Sequence, residues 1–257
     1  MAQEKDKEIQ QLKNRFRDLA DKSYSQGIYT FTGFLGLGEL DILHGMEREL
    51  GYAGITLYGG YEDADRKMLR FGGETSLGYE MPFPVVCIRI SPLNRKFADQ
   101  LSHRDFLGAL MNLGIERSTI GDIRVGEKEA CLFCMDSIAP FICENLDQVK
   151  HTHVKCTVTE DTETVIPQEE PVPVQIQVQS PRIDAVLARV YHMSREKSLE
   201  LFRAGKVFVD GRLCESNSRL LKSNETVNAR GYGKFRVLGE PRETRKGKLA
   251  VEVAVYR

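Results

Sequence analysis

The chain has 257 residues, 36 Lys and Arg against 37 Asp and Glu, and 41% hydrophobic residues, a make-up that allows one large domain or two or three small ones, each with a modest core. No run of eighteen apolar residues occurs, and the opening "MAQEKDKEIQQLKNRFRDL" is a charged helix rather than a basic stretch followed by an apolar one. A membrane span and an export signal are therefore not expected, and a cytoplasmic setting is.

The six cysteines, Cys87, Cys131, Cys134, Cys143, Cys156 and Cys214, stand mostly in apolar company, which suits reduced thiols. The near-zero net charge conceals an asymmetry: from Ser180 onward there are 17 Lys and Arg against 9 Asp and Glu, a surplus that the preceding acidic part cancels. One end of the chain is suited to a polyanion.

In chain order, the pattern predicts a polar helix over Lys5–Lys22, a second helix around Glu39–Leu50 and a hairpin through "GITLYGGYEDADRKMLRFG". Together these make a small α/β module, residues 1–78. Gly36 and Gly38 resemble part of a dinucleotide fingerprint, but Asp41 replaces the third glycine and no clean strand precedes them, so a turn before a helix is expected. The turn-rich "GGETSLGYEMPFP" closes this module.

Residues 79–158 follow the order β-α-β-β-α-β: strand Val85–Ile90, helix Ser102–Leu113, strands Asp122–Val125 and Ala130–Met135, helix Asp136–Val149 and strand Thr152–Val158. That is the ferredoxin-like split βαβ, a topology shared by many RNA-binding domains and many enzymes. Within it "SHRDFLGALMNLG" contains His103-Arg104-Asp105, a triplet found at the catalytic centre of kinases. The kinase pattern requires Asn where Leu110 stands, together with a glycine-rich loop, a strand lysine and D-F-G, all missing from the sequence. Ser102 and Asp105 instead fit a capping box, Phe106, Leu107, Leu110 and Met111 form one apolar stripe, and Gly114 stands where a helix ends. His103 and Arg104 fall on the exposed first turn, where they form a candidate second RNA surface.

Cys131-Leu-Phe-Cys134 has metal-like spacing, with His151 and His153 as conceivable partners. A strand points i and i+3 to opposite faces, so no metal site is expected there. His44 and His192 lack recognisable acid or nucleophile partners. No metal or cofactor is expected.

Proline and acidic residues in "TEDTETVIPQEEPVPVQIQVQSP" mark residues 159–180 as a linker, with an edge strand conceivable at Val174–Val178. Beyond it, Ile183, Val186, Leu187 and Val190 form one helix face, and Ser194 caps a second helix, "REKSLELFRAG", expected to bury Leu199 and Phe202 and to stop at Gly205. "KVFVDGRLC" reads as two strands joined through Asp210-Gly211. Arg182, Arg189, Arg195, Lys197, Arg203, Lys206 and Arg212 decorate this unit. Arg230 and Lys234 follow in "ARGYGKF", where glycines let a backbone approach a phosphate.

The stretches "RIDAVLARV", "SREKSLELFRAGKVFVDG", Asn217-Ser218 and "RGYGKF" resemble the S-four (αL) RNA-binding domain, assigned to residues 181–257 together with the C-terminal strands. Asp210, Asn217 and "SNET" depart from that family's usual turn residues. The resemblance implies RNA contacts at Arg182, Ser194, Arg195, Lys197, Arg203 and Lys206, with Arg212, Arg230 and Lys234 on the same basic unit and Asp184 orienting Arg182 or capping its helix. With "HRDFLGALMNLGIERSTIGDI" in the middle and this domain at the end, the chain resembles the YlmH family across its length.

That resemblance implies a multidomain α+β, non-catalytic RNA-binding factor, tied to cell division and to ribosome-associated quality control. It would act as a monomer on large-subunit rRNA and peptidyl-tRNA of the large ribosomal subunit, assisting C-terminal tailing of stalled nascent chains. The competing reading is an RNA-modifying enzyme of pseudouridine-synthase type using the S-four domain as a handle, with "HRDF" near its catalytic setting. The central sheet lacks the aromatic signature of single-strand readers, leaving Phe133 as the evident aromatic on its middle strands, so recognition by shape is expected.

Overall fold

Leu12, Phe16, Leu19 and Ala20 recur at the spacing of one helix face, and helix α1, Ala2–Gln26, longer at both ends than expected, turns that stripe onto a small sheet. The structure is a computed structural model that describes residues 2–160, 171–244 and 247–256. It divides the chain into two compact units, Met1–Gln168 and Glu169–Arg257. No helix among the described residues is long and apolar enough to cross a membrane.

In the first unit α1 leads to strand β1, Thr30–Leu35, helix α2, Leu37–Leu50, and the hairpin β2, Ile55–Tyr58, with β3, Lys67–Phe71. The three strands are antiparallel in the order β1-β3-β2. A strand does precede Gly36, against expectation. Gly33 in the middle of "TFTGFL" weakens the local strand signal, but it is required by packing: a Cβ there would stand 2.6 Å from the Ser118 carbonyl oxygen.

A short helix α3, Glu74–Leu77, precedes the second sheet. This comprises β4, Val85–Pro92, helix α4, His103–Asn112, β5, Ile120–Val125, β6, Ala130–Met135, helix α5, Ala139–Asn145, β7, Gln148–Val149, and β8, Thr152–Thr159. All neighbours are antiparallel in the order β5-β6-β4-β8-β7, which without the two-residue β7 is the strand order of a split βαβ unit. The helix expected over Asp136–Val149 is shorter. A 3-10 turn, Asp136–Ile138, enters α5, which stops at Asn145, while Leu146 and Val149 reach the core from the following loop and strand.

Helices α4 and α5 cover one sheet face, burying Ile88, Ile90, Phe106, Leu110, Leu132 and Ile142. Each such side chain contributes about 1.5–3 kcal/mol on leaving water. On the opposite face Cys87, Cys131 and Phe133 form a smaller cluster with Tyr61. Cys131 and Cys134 thus occupy opposite faces of β6, as strand alternation dictates.

The second unit begins inside the expected linker. Residues Val172–Val178 form β9, an outer strand paired along its whole length with β14, Leu249–Tyr256. Pro173 is tolerated there because an edge strand has a side without ladder bonds. The remaining proline- and acid-rich residues, 161–170, lie outside the described residues.

Helices α6, Ile183–Val190, and α7, Arg195–Arg203, lie on a sheet that also contains β10, Val207–Val209, β11, Arg212–Leu213, β12, Thr226–Ala229, and β13, Gly233–Glu243. Its order is β11-β10-β12-β13-β14-β9. Ile183, Val186, Leu187, Leu201 and Phe202 pack with Val207, Val227, Phe235, Val251 and Val253. Leu199 is only half-buried, and Leu201 takes the interior place assigned to it. Asp210 and Gly211 both have positive φ, 50° and 78°, as the tight β10–β11 turn requires.

Candidate nucleic-acid interface

The organising group of the second unit is an acid. Asp184 opens α6 with no exposed surface, and Arg182 Nε and Nη2 donate to its two oxygens at 3.1 Å each. Arg195, at the start of α7, donates to Oδ2 from Nη2 at 3.2 Å. The Ala185 N–H donates to Oδ1 at 2.9 Å, so Asp184 both orients Arg182 and caps its own helix. Burial by itself would raise the Asp184 pKa, but the hydrogen bonds and charges of Arg182 and Arg195 outweigh it and hold the carboxyl below its ordinary range. The Ser198 hydroxyl donates to the Asp184 carbonyl at 2.9 Å, tying α7 to α6.

Both arginines keep surface for a ligand, with the Arg195 side chain 66% exposed. They line an open groove of about 690 Å³ with Arg189, His192, Gln177, Gln179 and Lys248. Arg189 was legible as a decoration of the helix, whereas Gln177, Gln179 and Lys248 were missed. The alternation in "VPVQIQV" was the available signal, since it sets Gln175 and Gln177 on one side of a strand.

The other residues assigned from sequence divide among several tasks. The Ser194 Oγ accepts the Lys197 N–H at 3.1 Å, so the hydroxyl is used as the α7 cap, and Lys197 Nζ pairs with Glu200 at 2.7 Å. Lys206 and Arg230 are exposed and adjacent, with the Arg230 N–H donating to the Lys206 carbonyl at 2.9 Å and the Arg230 guanidinium 5.3 Å from the Phe208 ring centre. Lys234 is half-buried, its Nζ 5.2 Å from the Tyr256 ring centre. Arg203 and Arg212 are exposed on α7 and on the outer strand β11.

The first unit treats its candidate surface differently. His103 and Arg104 are exposed on the first turn of α4, and the capping box is present. Asp105 Oδ2 accepts from the Ser102 N–H at 2.8 Å, the Ser102 hydroxyl at 2.7 Å and Lys150 Nζ at 2.9 Å. Lys150 and these Ser102 bonds push the Asp105 pKa down to about 2. The helix start therefore already holds an anion, the protein's own carboxylate. Desolvation and the charge of Arg117 lower the His103 pKa.

The sheet face around Phe133 is also taken. Tyr61 stacks on Phe133 with ring centres 5.1 Å apart, and Gly60 sits so close that a Cβ would stand 2.1 Å from the Phe133 ring. The covering loop is held by Asp122, which accepts from the Tyr61 hydroxyl at 2.9 Å, the Asp65 N–H at 2.7 Å and the Arg66 N–H at 3.2 Å. Arg66 in turn donates to the carbonyls of Ile120, Phe34 and Arg117. Phe133, the aromatic singled out from sequence, is buried and not available to a base. Among the described residues no three His, Cys, Asp or Glu side chains gather to hold a metal ion.

Residues 80–163 match the family model described as "Putative RNA-binding domain in YlmH". Over 204 residues, 77% of this chain and 76% of the relative, the sequence is 30% identical to the "Ribosome-associated protein quality control protein P2" of Bacillus subtilis (strain 168). A solved structure, the "Cell division protein ylmH from Streptococcus pneumoniae", shares the fold with a TM-score of 0.50 at 19% identity, covering 62% of this chain and 95% of that one. Sequence identity sustained over three quarters of both chains, on a matching domain model and a shared fold, places the protein: it belongs to the YlmH family.

Proposed function

We propose that this chain is a non-catalytic RNA-binding factor whose second unit is an S-four domain. It acts in the cytoplasm, as a monomer, on the large ribosomal subunit, contacting rRNA and peptidyl-tRNA and assisting C-terminal tailing of stalled nascent chains. The observation that carries this reading is the buried Asp184 holding Arg182 and Arg195 side by side at the rim of a groove with Arg189 and Lys248. Two guanidinium groups fixed by one acid are pre-organised for phosphate oxygens, and such contacts supply most of the affinity for a structured RNA. The name of the B. subtilis relative supports the ribosomal setting, and the family model supports RNA as the ligand.

The alternative, catalysis on RNA bases through Asp105, is not favoured. Its Oδ2 accepts from Lys150 Nζ and from the Ser102 backbone and hydroxyl, so the carboxylate serves as a helix cap, a structural task.

Co-sedimentation of the Arg182→Ala, Arg195→Ala double variant with purified large subunits tests the proposal. Affinity is expected to fall at least about tenfold, and the log–log salt slope between about 50 and 200 mM to flatten by about 2. Unchanged affinity and slope would overturn it.

A further inference from the structure

With Tyr61 on Phe133, the sheet face of the first unit is occupied by the protein itself. The loop between β4 and α4 is not. Phe97 is 77% exposed, the most exposed large apolar side chain among the described residues, and Leu93 on the same loop is 68% exposed.

This loop is held at several points. The Leu93 N–H donates to the His153 carbonyl at 2.9 Å, the Lys96 N–H to Asn94 Oδ1 at 3.1 Å and the Asp99 N–H to Thr152 Oγ1 at 2.9 Å. Lys128 Nζ, from the β5–β6 turn, donates to the Arg95 carbonyl at 2.7 Å. Glu129 bridges Arg95 at 2.8 Å and Arg89 at 2.7 Å with its side chain only 15% exposed, so this acid fixes two cations and presents little negative charge outward. Lys96 Nζ lies 5.7 Å from the Phe97 ring centre. Lys155, exposed on β8 opposite Ser91 of β4, extends the basic surface along the sheet, and Glu127 on the β5–β6 turn opposes it in part.

An exposed ring on a pinned loop, flanked by Arg95, Lys96 and Lys128, has the two components that single-stranded RNA requires. The ring face stacks on any base, and the cations take the phosphates on either side. A protein partner would have no comparable need for this many cations around one ring. We propose that the β4–α4 loop, with Phe97 as stacking platform and Arg95, Lys96 and Lys128 as phosphate contacts, is a single-stranded RNA site of the first unit, separate from the groove at Asp184. The assignment rests on the RNA-binding reading of this family.

The test uses the full chain carrying Arg182→Ala and Arg195→Ala, which weakens the second unit's own binding, and a fluorescein-labelled oligouridine of about 12 nucleotides, within the site sizes of single-strand binders. Added Phe97→Ala is expected to weaken binding about tenfold and Phe97→Trp to preserve it, because stacking needs a ring and not a particular one. Lys96→Ala with Lys128→Ala should flatten the salt slope by about 1.4. Phe97 is on the surface, so its replacement adds no folding defect to that parent.

Equal affinity of Phe97→Ala and its parent overturns the site while leaving the wider RNA reading intact. Failure of the unaltered chain to bind either oligouridine or large subunits overturns both. Loss of self-association in Phe97→Ala at unchanged RNA affinity assigns the patch to a second copy of this chain and overturns the proposal as well.

Discussion

The two units of this protein use acidic side chains in opposite ways. In the second, Asp184 is buried so that Arg182 and Arg195 are aimed outward, and the acid serves the exposed surface. In the first, Asp122 is half-buried and draws Tyr61 and the backbone of residues 65 and 66 inward, and the acid closes a surface. Burial raises the Asp122 pKa, reinforced by Asp65, whereas at Asp184 two guanidinium groups reverse the effect of burial. The contrast shows that a β-α-β-β-α-β order does not by itself supply an RNA platform, since the platform face can be spent on packing.

Breaking the second unit's acid should give the largest effect. Asp184→Ala leaves two guanidinium groups facing each other and removes a helix cap. We expect a loss of about 2–3 kcal/mol, below the range for a fully enclosed pair because Arg195 can turn to water, measured by urea unfolding. Binding to large subunits should fall with it, and a variant of unchanged stability would contradict the clamp.

On the other side of the comparison, Tyr61→Phe removes one hydrogen bond to Asp122 while keeping the ring on Phe133. The expected cost is about 1 kcal/mol. Tyr61→Ala should in addition expose Cys131 to a thiol reagent in the folded protein, and Cys131 reactivity that is the same in both variants would mean that Tyr61 is not the cover.

The smallest effect is expected at Asp105. Its pKa is lowered to about 2, so its stabilising contribution is complete above the unfolded carboxylate value near 4 and is lost as pH falls through about 2. Asp105→Asn should lower Tm slightly at pH 7, and the difference from the parent should vanish toward pH 2. An Asp105 carboxyl titrating near 4 by NMR would refute the Lys150 contact.

Much of the second unit was legible because its signals are local. Ile183, Val186 and Leu187 mark a helix face, Ser194 its successor's cap, and Asp210-Gly211 a turn that needs two positive φ angles. The capping box at Ser102 and Asp105 is legible for the same reason. Within the candidate site, Arg182 and Arg195 were identified by resemblance, and the role of Asp184 toward Arg182 followed from adjacency. Its hold on Arg195, eleven residues away, did not, because it depends on how α7 packs on α6.

Sequence by itself determined the elements whose causes lie within a few residues: helix faces, caps, the hairpin turn, and the basic surplus after Ser180. Tertiary structure alone decided the rest. Val172–Val178 is a strand because residues 249–255 pair with it, Gly33 is tolerated in β1 because Ser118 leaves no room for a Cβ, and Phe133 is closed because Tyr61, more than seventy residues earlier, reaches its ring. Strand pairing and face burial are properties of neighbours brought together across the chain, and a linear pattern of side chains does not say which neighbours those will be.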